Sequence, residues 1–313
     1  MTSKPQKDRK PRPSSPEADA ARVRALVESP SYALAFEDHD FIMQHDTRAV
    51  RLQLELLKAE MVLRQHHIRF TIVAFGGTRI VEPAVARARM DALEAQLREK
   101  PGDPALERAL VIASRVVAKS RYYEAAREFA RLVSESRQRG ESDYVIVTGG
   151  GPGIMEAANR GAWDVDAPSI GLNITLPMEQ HPNSYITPEL CFQFHYFAIR
   201  KMHFLLRAQA LVAFPGGYGT LDELFEAMTL MQTGKTRVMP VILFGREFWQ
   251  HVLDMQYLAD EGVIADADLK LFHYAETAAE AWDIIQNFHA ARRAASPGRP
   301  RPDGSSAGKP RRR

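Results

Sequence analysis

The sequence predicts a doubly wound, Rossmann-like α/β fold, a mainly parallel sheet with helices on both faces and a helical N-terminal extension. Three observations predict it. Apolar runs of strand length alternate with longer charged stretches of helical period, two of the runs end in glycine-rich turns, and both turns open a new helical stretch. Strands that alternate with helices need crossover connections, which makes the sheet parallel and buries both its faces. In such sheets ligands bind beyond the carboxyl ends of the strands, where both glycine turns fall.

From 17 to 67 apolar residues recur at three- to four-residue steps (Val23 and Leu26, then Val50, Leu54, Leu57 and Met61), which reads as a helical arm. At 70–75 the text becomes Phe-Thr-Ile-Val-Ala-Phe before Gly76-Gly77-Thr78, the first strand of a domain running from 68 to 291. Helical stretches follow at 82–99 and 104–138, separated by Pro101-Gly102-Asp103-Pro104. Residues 144–148 form a strand that enters Gly149–Gly153 and a helix through Met155, Ala158 and Arg160, and 169–176 form another strand. Leu211–Phe214 leads into Pro215-Gly216-Gly217-Tyr218-Gly219 and a helix over 220–232. Strand 238–244, helix 246–258, strand 270–275 and helix 277–290 complete the domain.

Composition excludes several classes. A chain of 313 residues with 45% hydrophobic and 26% charged residues is neither fibrous nor wholly disordered. The first sixteen residues carry +4 and residues 292–313 carry +7, so that against a whole-chain charge of +2 the segment 17–291 carries −9. The basic residues therefore sit in two Pro/Ser/Gly-rich ends, read as disordered tails at 1–16 and 292–313, without the interleaved aromatics of a nucleic-acid stacking site. The single cysteine, Cys191, fits a reducing compartment, and the lack of an apolar leader or a span of membrane length points to the cytoplasm. No metal site is expected, because the ten histidines lack HxxxH spacing and one cysteine excludes CxxC. No cofactor is expected either.

The turn Gly149-Gly150-Gly151-Pro152-Gly153 can bring its backbone and the following helix N-terminus against a phosphate. It is not the dinucleotide motif GxGxxG, since Ile154 or Glu156 stands where the last glycine is required. Gly234-Lys235-Thr236 is not a P-loop, because Thr229 replaces the first glycine and the segment ends a helix. Pro215-Gly216-Gly217-Tyr218-Gly219-Thr220-Leu221-Asp222-Glu223 joins a second anion turn to a hydroxyl and two carboxylates, although Thr220 and Glu223 also have capping-box spacing.

These two motifs, with Arg200-Lys201 between them, resemble the LONELY GUY (LOG) family of cytokinin-activating phosphoribohydrolases, formerly called lysine decarboxylases, over most of 70–290. Leu176–Asn183 and Thr229–Lys235 are similar to a longer bacterial branch. The resemblance implies hydrolysis of the N-glycosidic bond of a nucleoside 5′-monophosphate, AMP or an N6-modified AMP, to free base and ribose 5-phosphate. It implies Glu223 and Arg200 as the catalytic pair and a phosphate and substrate site of Gly150, Gly151, Gly153, Met155, Gly216, Gly217, Tyr218, Gly219, Thr220 and Lys201. It also implies a homodimer. Asp222, Glu179, Asn183 and His203 rank second; Glu179, Gln180, Asn183 and Tyr185 could close over the base, meet a second subunit or form a plain polar loop.

The chemistry stands beside the resemblance. Cleaving a ribosyl bond passes through an oxocarbenium-like state, so a carboxylate such as Glu223 can stabilise positive charge or activate water. Arg200, His203 and Arg207 share one helix face and Ile199, Met202 and Leu206 another, so the arginine need not face the core and could bind phosphate or ribose or pair with Glu223. The alternative from another class is a non-catalytic carrier of a nucleotide or molybdenum cofactor on the same fold, for which the glycine turns suffice and the Arg200–Glu223 pair is superfluous.

Overall fold

The computed structural model describes residues 15–176 and 181–295. The chain divides into two compact units, Met1–Leu54 and Glu55–Arg313. The first holds helices α1 (Pro16–Val27) and α2 (His39–Ile42) and the first turns of α3 (Arg48–Gln65), so the division falls inside a helix, ahead of the expected boundary at 67. Ser15 caps α1 through Ala18 N at 3.2 Å, with Pro16 at the first helical position, where the missing amide costs nothing. Asp38 caps α2 at 2.9 Å.

The second unit is a seven-stranded sheet, every pair of neighbours parallel, in the order β4-β3-β2-β1-β5-β6-β7. The strands are β1 (Phe70–Phe75), β2 (Tyr144–Thr148), β3 (Ser169–Ile174), β4 (Cys191–Phe194), β5 (Ala208–Ala213), β6 (Val241–Phe244) and β7 (Phe272–Ala275). Between them run α4 (Pro83–Glu99), α5 (Pro104–Lys119), α6 (Arg121–Gln138), α7 (Ile154–Trp163), α8 (Phe197–Leu206), α9 (Tyr218–Gln232), α10 (Arg246–Val252) and α11 (Met255–Asp260), and α12 (Ala278–Ala294) closes the chain. The doubly wound, Rossmann-like class is therefore the observed one.

Both faces of the sheet are covered, which explains why β1 reads as a continuous apolar run. Alternate residues Ile72, Ala74, Ile146, Ala210, Val212 and Ile242 join Phe129, Ala130, Ala157 and Trp282 of α6, α7 and α12 in one core. On the opposite face the Phe75 ring meets Phe204 of α8 edge-on at 4.7 Å.

Four boundaries depart from the sequence expectations. The stretch 104–138 is two helices, because the chain turns at Ser120, whose hydroxyl bonds Val117 O at 2.7 Å. The helix expected over 246–258 is likewise broken at Leu253, which is extended at φ −134°, ψ 119°. Cys191–Phe194, not among the expected strands, is the edge strand β4. β6 begins at Val241 instead of 238, immediately after Pro240, which has no amide for a ladder. Gly234 follows α9 in the left-handed region at φ 68°, a helix stop as expected.

Candidate functional site

β1 lies between β2 and β5, and these two neighbours carry the glycine turns, so the strand order itself brings Gly149–Gly153 and Pro215–Gly219 to one end of the sheet. The turn after β1 ties them together. Ile154 N donates to Gly77 O at 3.3 Å and Gly77 N to Pro215 O at 2.9 Å. Gly150 and Gly153 both have φ 74°, the left-handed region that glycine enters without a steric penalty, and a β-carbon on Gly153 would lie 2.4 Å from Gly77 O.

A buried polar network holds the first turn from below. Thr148 Oγ1 donates to Asn159 Oδ1 at 2.7 Å and accepts from Gly150 N at 3.0 Å, while Asn159 Nδ2 donates to Ser169 Oγ at 2.9 Å. Asn183 completes it, donating from Nδ2 to Gly151 O at 3.1 Å and Asn159 Oδ1 at 3.0 Å, and from its backbone amide to Gly150 O at 2.8 Å. Asn183 thus braces the turn. Asn159 and Thr148 were not singled out from sequence; the one available signal was polar residues at apolar positions of a strand and helix flanking the turn.

The second turn starts α9, whose N-cap is Gly217 without a side-chain cap, so Thr220 and Glu223 do not form a capping box. Thr220 is instead in the first helical turn and buried, packed against Gly216, where a β-carbon would come 2.2 Å from Thr220 Oγ1. Gly217 and Gly219 are exposed, and the Tyr218 ring stands in solvent at 92% exposure.

Arg200 is turned inward. The face of α8 with Met202 and Leu206 is the exposed one, and Arg200, His203 and Arg207 turn inward. The two arginines of the inward face are received by Leu172 O, Ile68 O and Glu60 instead of solvent. Arg200 Nε donates to Leu172 O at 2.7 Å, its guanidinium lies over the Phe204 ring at 5.1 Å, and Nη2 lies against Gly149, together with Met155 Sδ. Burial pulls its pKa down, partly offset by Glu223. Lys201 points to the other side, pairing with Asp222 at 2.8 Å and Glu226 at 3.3 Å. Burial lowers the Lys201 pKa, but these acids and Glu223 hold it above the usual value.

Glu223 is 7% exposed in the first turns of α9. Burial pushes its carboxyl up to about 7, against the pull of Lys201 and Arg200 and with a further push from Glu226 and Asp222. A carboxyl with that pKa is poised to exchange a proton near neutral pH, within electrostatic reach of Arg200 and Lys201.

The structure thus brings together Gly149–Gly153, Met155, Arg200, Lys201, Gly216–Thr220, Asp222 and Glu223. It does not bring His203 there: that ring is buried against α3, with Nδ1 3.6 Å from Glu60 Oε1. Glu179 and Gln180 lie outside the described residues, as do most residues of the expected basic tails. Among the described residues no group of three or more His, Cys, Asp or Glu is placed to hold a metal, and no helix is long and apolar enough to cross a membrane.

A parallel sheet whose two glycine turns meet at one end, with a buried acid and two cations on the helices beside them, defines a Rossmann-like protein. The family model described as "Possible lysine decarboxylase" matches residues 155–285, from Met155 through Arg200 and Glu223. This segment of the chain is thus similar to that family. The chain is 26% identical over 155 residues to the "Probable cytokinin riboside 5'-monophosphate phosphoribohydrolase LOGL3" of Oryza sativa subsp. japonica, an overlap of 46% of this chain and 68% of the rice protein. Similar solved structures include a Moco carrier protein from Chlamydomonas reinhardtii, 18% identical, covering 71% of this chain and 99% of that one with a TM-score of 0.41. A structural-genomics target is 20% identical over 70% of this chain and 99% of its own, with a TM-score of 0.38.

Proposed function

We propose that the protein hydrolyses the N-glycosidic bond of a nucleoside 5′-monophosphate, AMP or an N6-modified AMP, to free base and ribose 5-phosphate. The observation that carries this reading is Glu223, a buried carboxyl with its pKa pushed up to about 7, in electrostatic reach of Arg200, which itself lies against Gly149 of the first glycine turn. The similarity to the rice phosphoribohydrolase supports it.

In this reading the backbone amides of the two turns and the Thr220 hydroxyl hold the 5′-phosphate. The C1′–N bond breaks as positive charge grows on the ribose, and ionised Glu223 faces that charge and takes a proton from the attacking water. Hydroxide adds to C1′, the base leaves with its bonding pair and gains a proton, and Glu223 returns its proton to solvent. Arg200, fixed by Leu172 O and Phe204, orients phosphate or ribose and keeps part of Glu223 ionised at neutral pH. The sequence resemblance adds a homodimer to the proposal, and the lone Cys191 a reducing, cytoplasmic setting.

The test is to incubate the protein with AMP, GMP, CMP and isopentenyladenosine monophosphate and to assay free base and ribose 5-phosphate, with Glu223→Ala in parallel. Base release lost in the variant is the expected result. Tight nucleotide binding without release from any substrate would instead assign a carrier. Sedimentation of the same sample reads the dimer.

A further inference from the structure

We propose that the second half of α3 is a splint for the site: Glu55 and Glu60 grip α8 at its two ends and so set where Arg200 stands relative to Glu223. They are positioning residues, remote from the reacting atoms, and this role rests on the reading of Arg200 and Glu223 given above.

A helix as short as α8 depends on tertiary contacts, and its first amides need acceptors from outside. Its N-cap, Tyr196, makes no side-chain cap bond to the helix. Glu55, 140 residues away, anchors the chain where it enters the helix: Oε1 accepts from His195 N at 2.8 Å and Oε2 from the N-cap amide Tyr196 N at 3.2 Å, putting a negative charge at the positive end of the helix dipole. At the other end Arg207, the C-cap, donates from Nε to Ile68 O at 3.1 Å and from Nη2 to Glu60 Oε2 at 3.0 Å, with Nη1 on Glu60 Oε1. Burial favours the neutral form of Glu60, but the bonds and charge of Arg207 outweigh it and hold the carboxyl below its ordinary range.

The gripped face is the one that matters. Arg200, His203 and Arg207 project from the same side of α8, and His203 is packed between the two clamps beside Glu60. Rolling or sliding α8 would draw Arg200 from Leu172 O and Gly149 and change its distance to Glu223. Neither Glu55 nor Glu60 lies within the 155–285 segment that matches the family model, so the splint comes from outside it.

The experiment compares Glu55→Ala, Glu55→Gln and Glu60→Gln with the parent protein, first by thermal melting and then by two independent readouts. The charges facing Glu223 are Arg200 and Lys201 from α8 and Asp222 and Glu226 from α9, so a displaced α8 weakens the cationic side only. In Glu55→Ala the Glu223 carboxyl, followed by 13C NMR with Glu223→Gln as the assignment, is expected to titrate about half a unit higher, with Glu55→Gln in between. For the nucleotide that turns over, kcat is expected to fall about tenfold in Glu55→Ala at a temperature well below its melting point, with the acidic limb of the pH profile moved upward. An unchanged Glu223 titration in folded Glu55→Ala would overturn the splint; if that variant does not fold, an unchanged titration in both Gln variants does the same. Absence of base release from every nucleotide would overturn the hydrolase reading, and the NMR titration would still decide the splint.

Discussion

The guanidinium of Arg200 occupies the space that a β-carbon on Gly149 would need: the two would be 2.6 Å apart, and Met155 Sδ would be 2.8 Å away. Gly149 does not have a positive φ, so alanine fits its backbone and the clash falls on the ends of two flexible side chains. Gly149→Ala should therefore fold normally, with melting temperature changed by a few degrees at most, yet lose roughly a hundredfold in kcat/KM as Arg200 is pushed aside. Parallel melts and steady-state kinetics check both halves.

Gly153→Ala should behave in the opposite way. Its φ of 74° is strained for alanine, and the new carbon would lie 2.4 Å from Gly77 O and 2.8 Å from Thr78 O, both backbone. The fold should lose more than about 2 kcal/mol in a urea titration, because the turn after β1 cannot give way without disturbing its neighbours.

Glu223 trades stability for chemistry. Its folded pKa, about 7, is above its unfolded one, so its contribution is fully present below the unfolded value of 4.5 and is lost as pH rises through 7. Glu223→Gln should abolish base release while raising stability at pH 8 by up to about 3 kcal/mol, the size of the shift, and should change little at pH 4.5. Melting curves across that range give the answer directly; a variant less stable than its parent at pH 8 contradicts the burial argument.

Arg200→Lys should be nearly as damaging as Arg200→Ala. A lysine cannot keep the Nε bond to Leu172 O, the planar stack on Phe204 and the contact at Gly149 at once. A hundredfold or larger loss of kcat/KM, on the order of 3 kcal/mol, is expected from kinetics in both variants.

Asn159→Leu keeps the side-chain volume but strands Thr148 Oγ1, Ser169 Oγ and Asn183 Nδ2 without their shared partner. Denaturant titration should show a loss of about 2 to 4 kcal/mol, with nucleotide affinity reduced because the first turn is no longer braced.

How legible all this was depended on which interactions are local. The strands β1 and β2, buried on both faces, announce themselves as unbroken apolar runs ended by glycine. The two glycine turns and the Thr220–Glu223 cluster are contiguous text, so the site could be read where sequence neighbours are also spatial neighbours. The orientation of α8 could not be read, since the groups that accept from its polar face, Leu172 O, Ile68 O and Glu60, are 28 to 147 residues distant. The edge strand β4 was hidden by its four-residue length and by the exposed Gln193 that interrupts it. Nor could periodicity distinguish Asn183, which braces a turn, from a loop residue that covers a ligand.

The single loop after β1 accepts an amide from one glycine turn and donates to the other, so Gly77 joins segments that lie 77 and 138 residues further along the chain. Nothing resembling the cleft can exist in a nascent chain that has emerged only as far as β2. Closure of such long loops is what slows folding in sheets with non-local pairing. Capture of the proposed nucleotide should accordingly appear in the last cooperative step of refolding, after helical circular dichroism has recovered, which makes it a clock for native topology and not for compaction.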